Sequence, residues 1–281
     1  MIIYKTSKGI LVKNGNEHFL INDEWDELVN NDEVYTYLKD AISKSKAIAN
    51  GAAILQESLL PPIGHQEVWA SGVTYYKSRE ARIEESKDAG GGDFYDRVYH
   101  ADRPELFFKS PAYRVVGHNE SVRIRKDSKW NVPEPELTLV ITSTGKIIGY
   151  TIGNDMSSRD IEGENPLYLP QAKCYDGSTA IGPGIYIADK PIPLDTIISI
   201  EIIRVDKQVF QGETTVDQIK RTFEELVEYL YREMSYPYGC LLMTGTGVVP
   251  PDSFTLQLED IVNITIDPIG TLSNIVKTNQ G

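Results

Sequence analysis

The sequence predicts an α+β fold that is mainly β, with a small N-terminal α/β domain followed by a larger β-rich domain. Short stretches rich in β-branched and aromatic residues, separated by Gly, Pro and Asn turns, recur along the 281 residues. Helical spacing of apolar residues occupies fewer segments. The run from Leu137 to Ile141 is apolar on both faces and therefore predicts a strand buried in the interior.

Composition and charge narrow the class of protein. With 41% hydrophobic and 25% charged residues, the chain is typical of globular proteins, and no apolar run could span a bilayer. The start lacks the features of a signal peptide, so we expect a cytoplasmic protein without a membrane partner. Two cysteines, Cys174 and Cys240, are too few for a disulfide framework; we expect reduced thiols, although the two could pair. A net charge of -13 opposes nucleic-acid binding, and an anionic substrate would need local cations and a metal.

The N-terminal residues predict a hairpin and one helix. The predicted strands are Ile2–Tyr4, Ile10–Lys13 and His18–Ile21, with a turn at Asn14 and Gly15. Asp32 is the predicted N-cap of a helix that continues to Asn50. The Leu-Leu-Pro-Pro stretch at 59–62 predicts an extended link, because proline disfavours helix at the preceding residue. We therefore expect one domain over residues 1–62 and a second over residues 63–281.

Three carboxylates in the larger domain form the strongest functional pattern. Glu134 and Glu136 lie two apart at the start of the buried strand, so both side chains project from one face. A turn at 143–145 returns the chain along a second strand that ends near Asp155. Buried carboxylates must neutralise, meet cations or bind a metal, and an E-x-E pair also occurs on ordinary solvated faces. An all-oxygen site suits Mg²⁺, with Mn²⁺ or Ca²⁺ as alternatives.

The strings E-P-E-L-T-L-V-I from Glu134 and G-Y-T-I-G-N-D-M-S-S-R-D from Gly149 resemble the core signature of the fumarylacetoacetate hydrolase superfamily. The resemblance implies a mixed β-sandwich roll for the larger domain. It also implies that Glu134, Glu136 and Asp155 bind a divalent metal.

The segment G-V-T-Y-Y-K-S-R-E, which starts at Gly72, resembles the family segment that supplies a catalytic histidine in the hydrolases. Ser78 stands at that position here, and serine without a histidine partner is a poor base. We expect Tyr75, Ser78 and Arg79 to contact the substrate. The glycines within Ala89–Asp93 favour a mobile loop, which we expect to cover the site.

Three further positions match family segments that border the active site. The F-F-K-S-P stretch and the residues before it imply a catalytic role for Glu105 and substrate binding by Lys109. An ion pair between the two at the edge of a strand is the alternative. The K-C-Y-D stretch implies that Lys173 lies beside the metal, although a lone lysine is more often solvated. The T-G-T-G stretch implies that Thr246 binds the substrate carboxylate.

The missing hydrolytic histidine favours elimination of water through an enolate, and the resemblance implies a 2-keto-3-deoxy sugar acid as the substrate. Lys173, with a pKa lowered by the metal, would take the C3 proton. Glu105, desolvated beside Phe107 and Phe108, would protonate the leaving hydroxyl, and the reverse assignment is also open. The alternatives are an acylpyruvate hydrolase, an oxaloacetate-type decarboxylase and a non-catalytic keto-acid binding protein. The resemblance implies a homo-oligomer, either a dimer or a dimer-based tetramer.

The remaining predictions concern the frame around the site. The segment Glu162–Pro170 is predicted to be a loop, two strands are predicted over 185–203, and a hairpin is predicted over 205–211. Thr215 and Gln218 are a predicted capping box for a helix that ends at Tyr236. The final predicted strand lies within Ser253–Ile266. The four histidines show no metal-ligand spacing and are expected to be structural or on the surface.

Overall fold

Two β-sheets pack against one another through the main hydrophobic core in a computed structural model that describes residues 1–75 and 92–279. The larger sheet contains β1 (Ile2–Thr6), β2 (Gly9–Asn14), β3 (Glu17–Ile21), β4 (Glu67–Gly72), β5 (Glu105–Ser110), β6 (Val115–Val116), β9 (Pro135–Ile141), β10 (Ile147–Asp155), β12 (Thr179–Ile187) and β15 (Cys240–Met243). Its strand order is β3-β2-β1-β12-β10-β9-β15-β4-β5, and β6 also pairs with β12. The sheet is mixed, because β15 is parallel to β4 and antiparallel to β9.

The second sheet has the order β14-β13-β16-β17-β7. Its strands are β7 (Ser121–Arg123), β13 (Ile197–Arg204), β14 (Lys207–Thr215), β16 (Ile261–Ile266) and β17 (Gly270–Lys277). A short ladder joins β8 (Asn131–Val132) to β11 (Ser157–Ser158). The helices are α1 (Trp25–Val29), α2 (Val34–Ser43), α3 (Gly51–Ser58), α4 (Gly92–His100), α5 (Arg159–Glu164), α6 (Leu169–Lys173) and α7 (Phe223–Tyr231). No helix within the described residues has the length and apolar character needed to cross a membrane.

Strand β9 is buried on both faces, as its sequence predicts. Leu137 and Leu139 belong to the core between the two sheets, together with residues of β13 and β16. Val140 projects the other way and joins a cluster that contains Leu28 and Leu38 of the N-terminal helices. Because every residue of β9 is buried, any polar side chain that projects from it must find a partner inside the protein.

The N-terminal hairpin is confirmed, since β1, β2 and β3 form an antiparallel meander. This meander joins the larger sheet, because Ile2 and Ile3 of β1 pair with Tyr186 and Ile185 of β12. Residues from both sides of position 62 also share one apolar cluster. We propose that residues 1–62 form a distinct unit that is docked through this cluster and through the shared strand pairing.

The N-terminal helix prediction is wrong in its cap and in its extent. Asp32 accepts hydrogen bonds from the hydroxyls of Thr142 and Thr144 in the β9–β10 turn, and therefore does not cap α2. The helix ends at Ser43, and Gly51 begins a separate helix. The tertiary contact to the turn outcompetes the local cap, which the sequence alone does not reveal.

Two later predictions are also wrong. Helix α7 is capped by Thr222, whose hydroxyl accepts from the N–H of Glu225 at 3.1 Å, whereas Thr215 donates its own hydroxyl to Asp217. The predicted loop at 162–170 is largely helical, because α5, a 3₁₀ turn at 166–168 and the start of α6 occupy it. The predicted final strand begins at Ile261, and β17 follows it as an additional strand.

Candidate metal centre and active site

Glu134, Glu136 and Asp155 converge where β9 begins and β10 ends. The antiparallel pairing places Glu136 opposite Gly153, and Glu134 and Asp155 exchange backbone hydrogen bonds of 3.2 and 3.0 Å. One carboxylate oxygen from each residue lies within 4.8 Å of the other two. All three side chains are buried. Within residues 1–75 and 92–279 this is the one group of acidic, His or Cys side chains that could hold an ion.

Three buried cations surround these carboxylates. The Lys173 ammonium donates to Glu134 Oε2 at 2.7 Å and to Asp155 Oδ2 at 2.9 Å. Arg159 donates to Glu134 Oε1 at 2.7 Å, and Lys109 pairs with Asp155 Oδ1 at 2.7 Å. The carboxylates and these cations therefore balance in formal charge. A divalent ion would make the site net positive, which favours an anionic ligand.

Glu136 differs from the other two carboxylates. Its Oε2 accepts the N–H of Gly245 at 2.6 Å. Burial, together with the neighbouring carboxylates of Asp155 and Glu134, raises the pKa of Glu136 well above its usual range. A hard divalent cation would relieve the repulsion among these acids, so the donor set and its electrostatics fit Mg²⁺ or a similar ion.

The turn after β15 delivers this backbone donor. Gly245 has a φ of +92°, and a Cβ there would lie 2.0 Å from the Thr74 hydroxyl, so glycine is required on both grounds. The Thr74 hydroxyl in turn donates to the carbonyl of Thr244 at 2.7 Å. Thr246 follows in the same turn and lines the cavity above the carboxylates, together with Val73. The structure thus brings the predicted residue Thr246 to the site.

Glu105 lies against Gly72, one of the residues that line the cavity. It begins β5 directly opposite Gly72 of β4, and a Cβ on Gly72 would lie 2.1 Å from Glu105 Oε2. The carboxylate therefore covers the backbone of a residue that lines the cavity. Phe107 lines the same cavity, whereas Phe108 belongs to the opposite face, is 37% exposed and packs against Trp69. The expected desolvation by Phe108 is therefore wrong.

Lys109 is completely buried, and three acceptors surround its ammonium group: Asp155, the carbonyl of Met156 at 3.2 Å and the carbonyl of Lys173. Burial lowers the pKa of Lys109, while Asp155 acts in the opposite direction. We propose that Lys109 acts on the substrate through its charge and through Asp155, since its donors are used within the protein.

Tyr75 is buried beside the site, and burial, followed by the charge of Glu136, raises the pKa of its hydroxyl. Ser78, Arg79 and the predicted loop residues 89–91 lie outside the described residues, and Gly92 and Asp93 begin α4. The histidines are elsewhere: His65 pairs with Asp26, and His118 accepts from the N–H of Ser273.

Sequence reasoning missed Arg159 as a site residue, although it belongs to the S-S-R-D string. Its side chain is 2% exposed, and it begins α5, whose last three residues fall in the predicted loop. Its place in the string that also supplies Asp155 was the available signal. Cys174 and Cys240 are unpaired, which confirms the expected free thiols.

This fold and this buried acidic centre define a protein class. The sequence matches the family Fumarylacetoacetate (FAA) hydrolase C-terminal over residues 74–277, and the chain belongs to that family.

Similar proteins narrow the class. The chain is 47% identical over 223 residues to 2-dehydro-3-deoxy-D-arabinonate dehydratase of Saccharolobus solfataricus, which covers 78% of this chain and 74% of that protein. It is also 47% identical over 218 residues to a Haloferax volcanii protein named "Probable 2-keto-3-deoxyxylonate dehydratase", with 77% and 74% covered. A solved structure described as 2-keto-3-deoxy-D-arabinonate dehydratase complexed with magnesium and 2,5-dioxopentanoate superposes with a TM-score of 0.84, at 34% identity, over 100% of this chain and 99% of that chain.

Proposed function

We propose that this protein is a Mg²⁺-dependent dehydratase that converts 2-keto-3-deoxy-D-arabinonate to 2,5-dioxopentanoate and water. The observation that carries the proposal is the buried Glu134, Glu136 and Asp155 cluster with the Lys173 ammonium in direct contact. The similarity to the dehydratases, and to the complex with magnesium and 2,5-dioxopentanoate, supports the same reaction.

The charges of the site support an anionic keto-acid substrate despite a net charge of -13 for the chain. Lys109, Lys173 and Arg159 already balance the three carboxylates. When bound by these carboxylates, Mg²⁺ supplies Lewis-acid stabilisation of negative charge that develops on the keto oxygen of the substrate. Locally the excess positive charge then opposes the repulsion from the protein as a whole, which solvent screens over a Debye length.

In the proposed mechanism, Lys173 takes one proton from C3 of the substrate. Glu105 delivers a proton to the C4 hydroxyl, the bond between C4 and this oxygen breaks, and water leaves. A proton then leaves C5 and another returns to C3, which gives the enol with a double bond between C4 and C5. This enol takes up a proton at C4 and loses its hydroxyl proton, so that C5 becomes the aldehyde of 2,5-dioxopentanoate. Thr246 and the amides of its turn hold the substrate carboxylate, and Tyr75, Ser78 and Arg79 contact the remainder of the sugar acid. As a general base, Lys173 acts as a neutral amine.

The names of the similar proteins support a single substrate. Oxidation at C2 and removal of the C3 hydroxyl eliminate the two stereocentres at which arabinonate and xylonate differ. For the same configuration at C4, both names therefore describe one 2-keto-3-deoxypentonate. The substrate proposed for this chain is the D form.

The hydrolase alternative lacks the histidine base that the family hydrolases use. Hydrolysis of an acylpyruvate needs an activated water, and each of the four histidines lies outside the cavity that Glu134, Glu136 and Asp155 line. An oxaloacetate-type decarboxylase shares the enolate and has no such requirement, so it is the second candidate. A binding protein without turnover has no need for Lys173 between two metal-ligand candidates.

A substrate panel tests these assignments. Protein with Mg²⁺ is incubated separately with 2-keto-3-deoxy-D-arabinonate, an acylpyruvate and oxaloacetate, and products are followed by NMR. We expect the aldehyde signal of 2,5-dioxopentanoate from the sugar acid, and its loss when the metal is chelated. Turnover of oxaloacetate or the acylpyruvate with no reaction of the sugar acid would replace this proposal with the corresponding alternative.

We also propose a cytoplasmic homo-oligomer, dimer or tetramer, that acts in pentose catabolism. The dehydratase similarity supports the pathway class. The net charge of -13 supports the absence of a nucleic-acid partner. Light scattering of the purified protein tests the oligomer.

A further inference from the structure

Lys220 and Arg221 bind the carbonyl groups at the C-terminal end of α4. Arg221 donates to the carbonyls of Asp102 at 2.8 Å, Ala101 at 2.5 Å and Val98 at 3.3 Å. Lys220 donates to the carbonyl of Tyr99 and lies 4.5 Å from the centre of its ring. These contacts join residues that lie about 120 positions apart in the sequence.

The arrangement has a clear electrostatic cause. The last carbonyls of a helix have no partner within the helix and carry partial negative charge, so cationic donors stabilise them. The Arg221 side chain is only 7% exposed, and its Nη1 also donates a hydrogen bond to Glu225 Oε1 at 2.5 Å, which forms an ion pair. The planar guanidinium can bind several carbonyls at once, which a lysine ammonium in the same place does with less geometric definition.

The same short segment also holds the end of β4. The N–H of Lys220 donates to the carbonyl of Thr74 at 3.0 Å, and Ile219 forms an antiparallel bridge with Tyr75. The residues just before Thr74, Gly72 and Val73, line the cavity. Residues 219–221 therefore hold the chain that follows β4 on one side of the cavity. Through the end of α4 they also hold the chain that leads into β5 on the other side.

Glu105 lies directly downstream of the carbonyls that Arg221 binds. Asp102 precedes it by three residues, and Pro104 restricts the intervening backbone. Glu105 then pairs with Gly72, and its carboxylate lies against that glycine. A displacement of the α4 end would therefore move the start of β5 and the carboxylate with it.

We propose that Arg221 is a positioning residue for the dehydration, and that it holds the Glu105 carboxylate against Gly72, beside the cavity, by binding the end of α4. This inference rests on the proposed function, because it states which step of the proposed dehydration fails when Arg221 is replaced. Loss of Arg221 impairs protonation of the leaving C4 hydroxyl and leaves proton removal at C3 in place, because Lys173 and the three carboxylates have other supports.

The test compares Arg221→Met and Arg221→Lys with Arg232→Met. Arg232 is a matched control, because it also pairs with a glutamate four residues away, at 2.7 Å from Glu228, but on the exposed surface. Dehydration, exchange of C3 hydrogens in D₂O and amide hydrogen exchange of peptides over 98–106 and 134–155 are measured for each variant with Mg²⁺ present.

We expect Arg221→Met to lower kcat for dehydration by about 10- to 100-fold, as for a misplaced catalytic group, with C3 exchange and KM within about threefold of the unaltered protein. Arg221→Lys should fall in between, and Arg232→Met should behave as the unaltered protein. Amide exchange should accelerate over 98–106 and remain unchanged over 134–155.

Equal losses of dehydration and C3 exchange in Arg221→Lys, or unaltered dehydration in Arg221→Met, would overturn the inference. Amide exchange that is unchanged over 98–106 would overturn it whatever the activity. If the unaltered protein exchanges C3 hydrogens but forms no 2,5-dioxopentanoate, the proposed function fails instead, and this result is distinguishable because it needs no variant.

Discussion

Arg159 and Glu134 form a buried ion pair of 2.7 Å at the first of the three candidate metal ligands. Both side chains are almost inaccessible, at 2% and 5% exposure. A buried pair of this kind costs desolvation, so we expect it to orient the Glu134 carboxylate rather than to stabilise the fold strongly. Lys173 approaches the other oxygen of the same carboxylate, and Glu134 is thus held from two sides.

Replacement of Arg159 with Met should show how far the stability of the metal-free protein depends on this ion pair. We expect a loss of about 3–5 kcal/mol in the free energy of unfolding of the metal-free protein, since removal of one partner leaves buried negative charge uncompensated. The loss should be smaller with Mg²⁺ present. Urea denaturation with and without MgCl₂ measures both, and Arg232→Met, which removes an exposed pair, should cost at most about 1 kcal/mol. Equal losses for the two variants would contradict the assigned burial effect.

Glu136→Gln should remove Mg²⁺ binding and activity together. Its affinity for Mg²⁺ should fall by more than about 100-fold, because loss of an outer partner alone already costs about 10- to 100-fold. The amide oxygen can still accept the Gly245 N–H, so the fold should persist. Calorimetric titration with Mg²⁺ and the dehydration assay provide the measurements.

Glu120→Gln is the control for that substitution, because Glu120 also accepts a backbone N–H at 2.6 Å, from Gly117, but is exposed. It should bind Mg²⁺ and react as the unaltered protein does. Full activity of Glu136→Gln after metal removal would eliminate the proposed metal centre.

Lys173→Met and Glu105→Gln should separate the two proton transfers. The first should abolish dehydration and C3 exchange, because the proposed base is lost. The second should block dehydration and leave C3 exchange measurable by NMR in D₂O. Exchange that survives Lys173→Met and disappears in Glu105→Gln would show that acid and base are reversed, and unchanged behaviour of both variants would remove both residues from the mechanism.

Thr222→Ala should destabilise the protein by about 1 kcal/mol, because it removes the observed N-cap of α7. Thr215→Ala, at the cap that the sequence pattern favoured, should change stability by less than about 0.5 kcal/mol, as for exposed positions. Thermal or urea unfolding compares the two. A larger loss for Thr215→Ala would mean that the cap assignment in the structure is wrong.

The sequence predicted the convergence of the three carboxylates well because its geometry is local. A strand, a turn and a returning strand bring Asp155 opposite Glu134, and period-two alternation alone places Glu136 on the same face as Glu134. The presence of Lys173 followed from the family resemblance rather than from periodicity. Its contact with Glu134 and Asp155 gives that resemblance a physical basis.

The errors arise where long-range contacts decide the local structure. Asp32 is drawn to the β9–β10 turn by Thr142 and Thr144, over more than a hundred residues, and a sequence window cannot contain that partner. Arg159 was overlooked because its role depends on burial, and the burial of a charged side chain cannot be predicted from the residue type alone. Arg221 likewise gains significance only through carbonyls about 120 residues away.

The pairing of β1 with β12 has a consequence for any shortened form of the protein. A chain that began after residue 62 would leave Ile185 and Tyr186 without the backbone partners that Ile3 and Ile2 provide. It would also uncover the apolar cluster beneath them. Such an open strand recruits foreign strands, so the family-matched part alone should aggregate, although it contains every candidate ligand. The N-terminal meander therefore covers the edge of β12 in the same sheet that contains the three carboxylates.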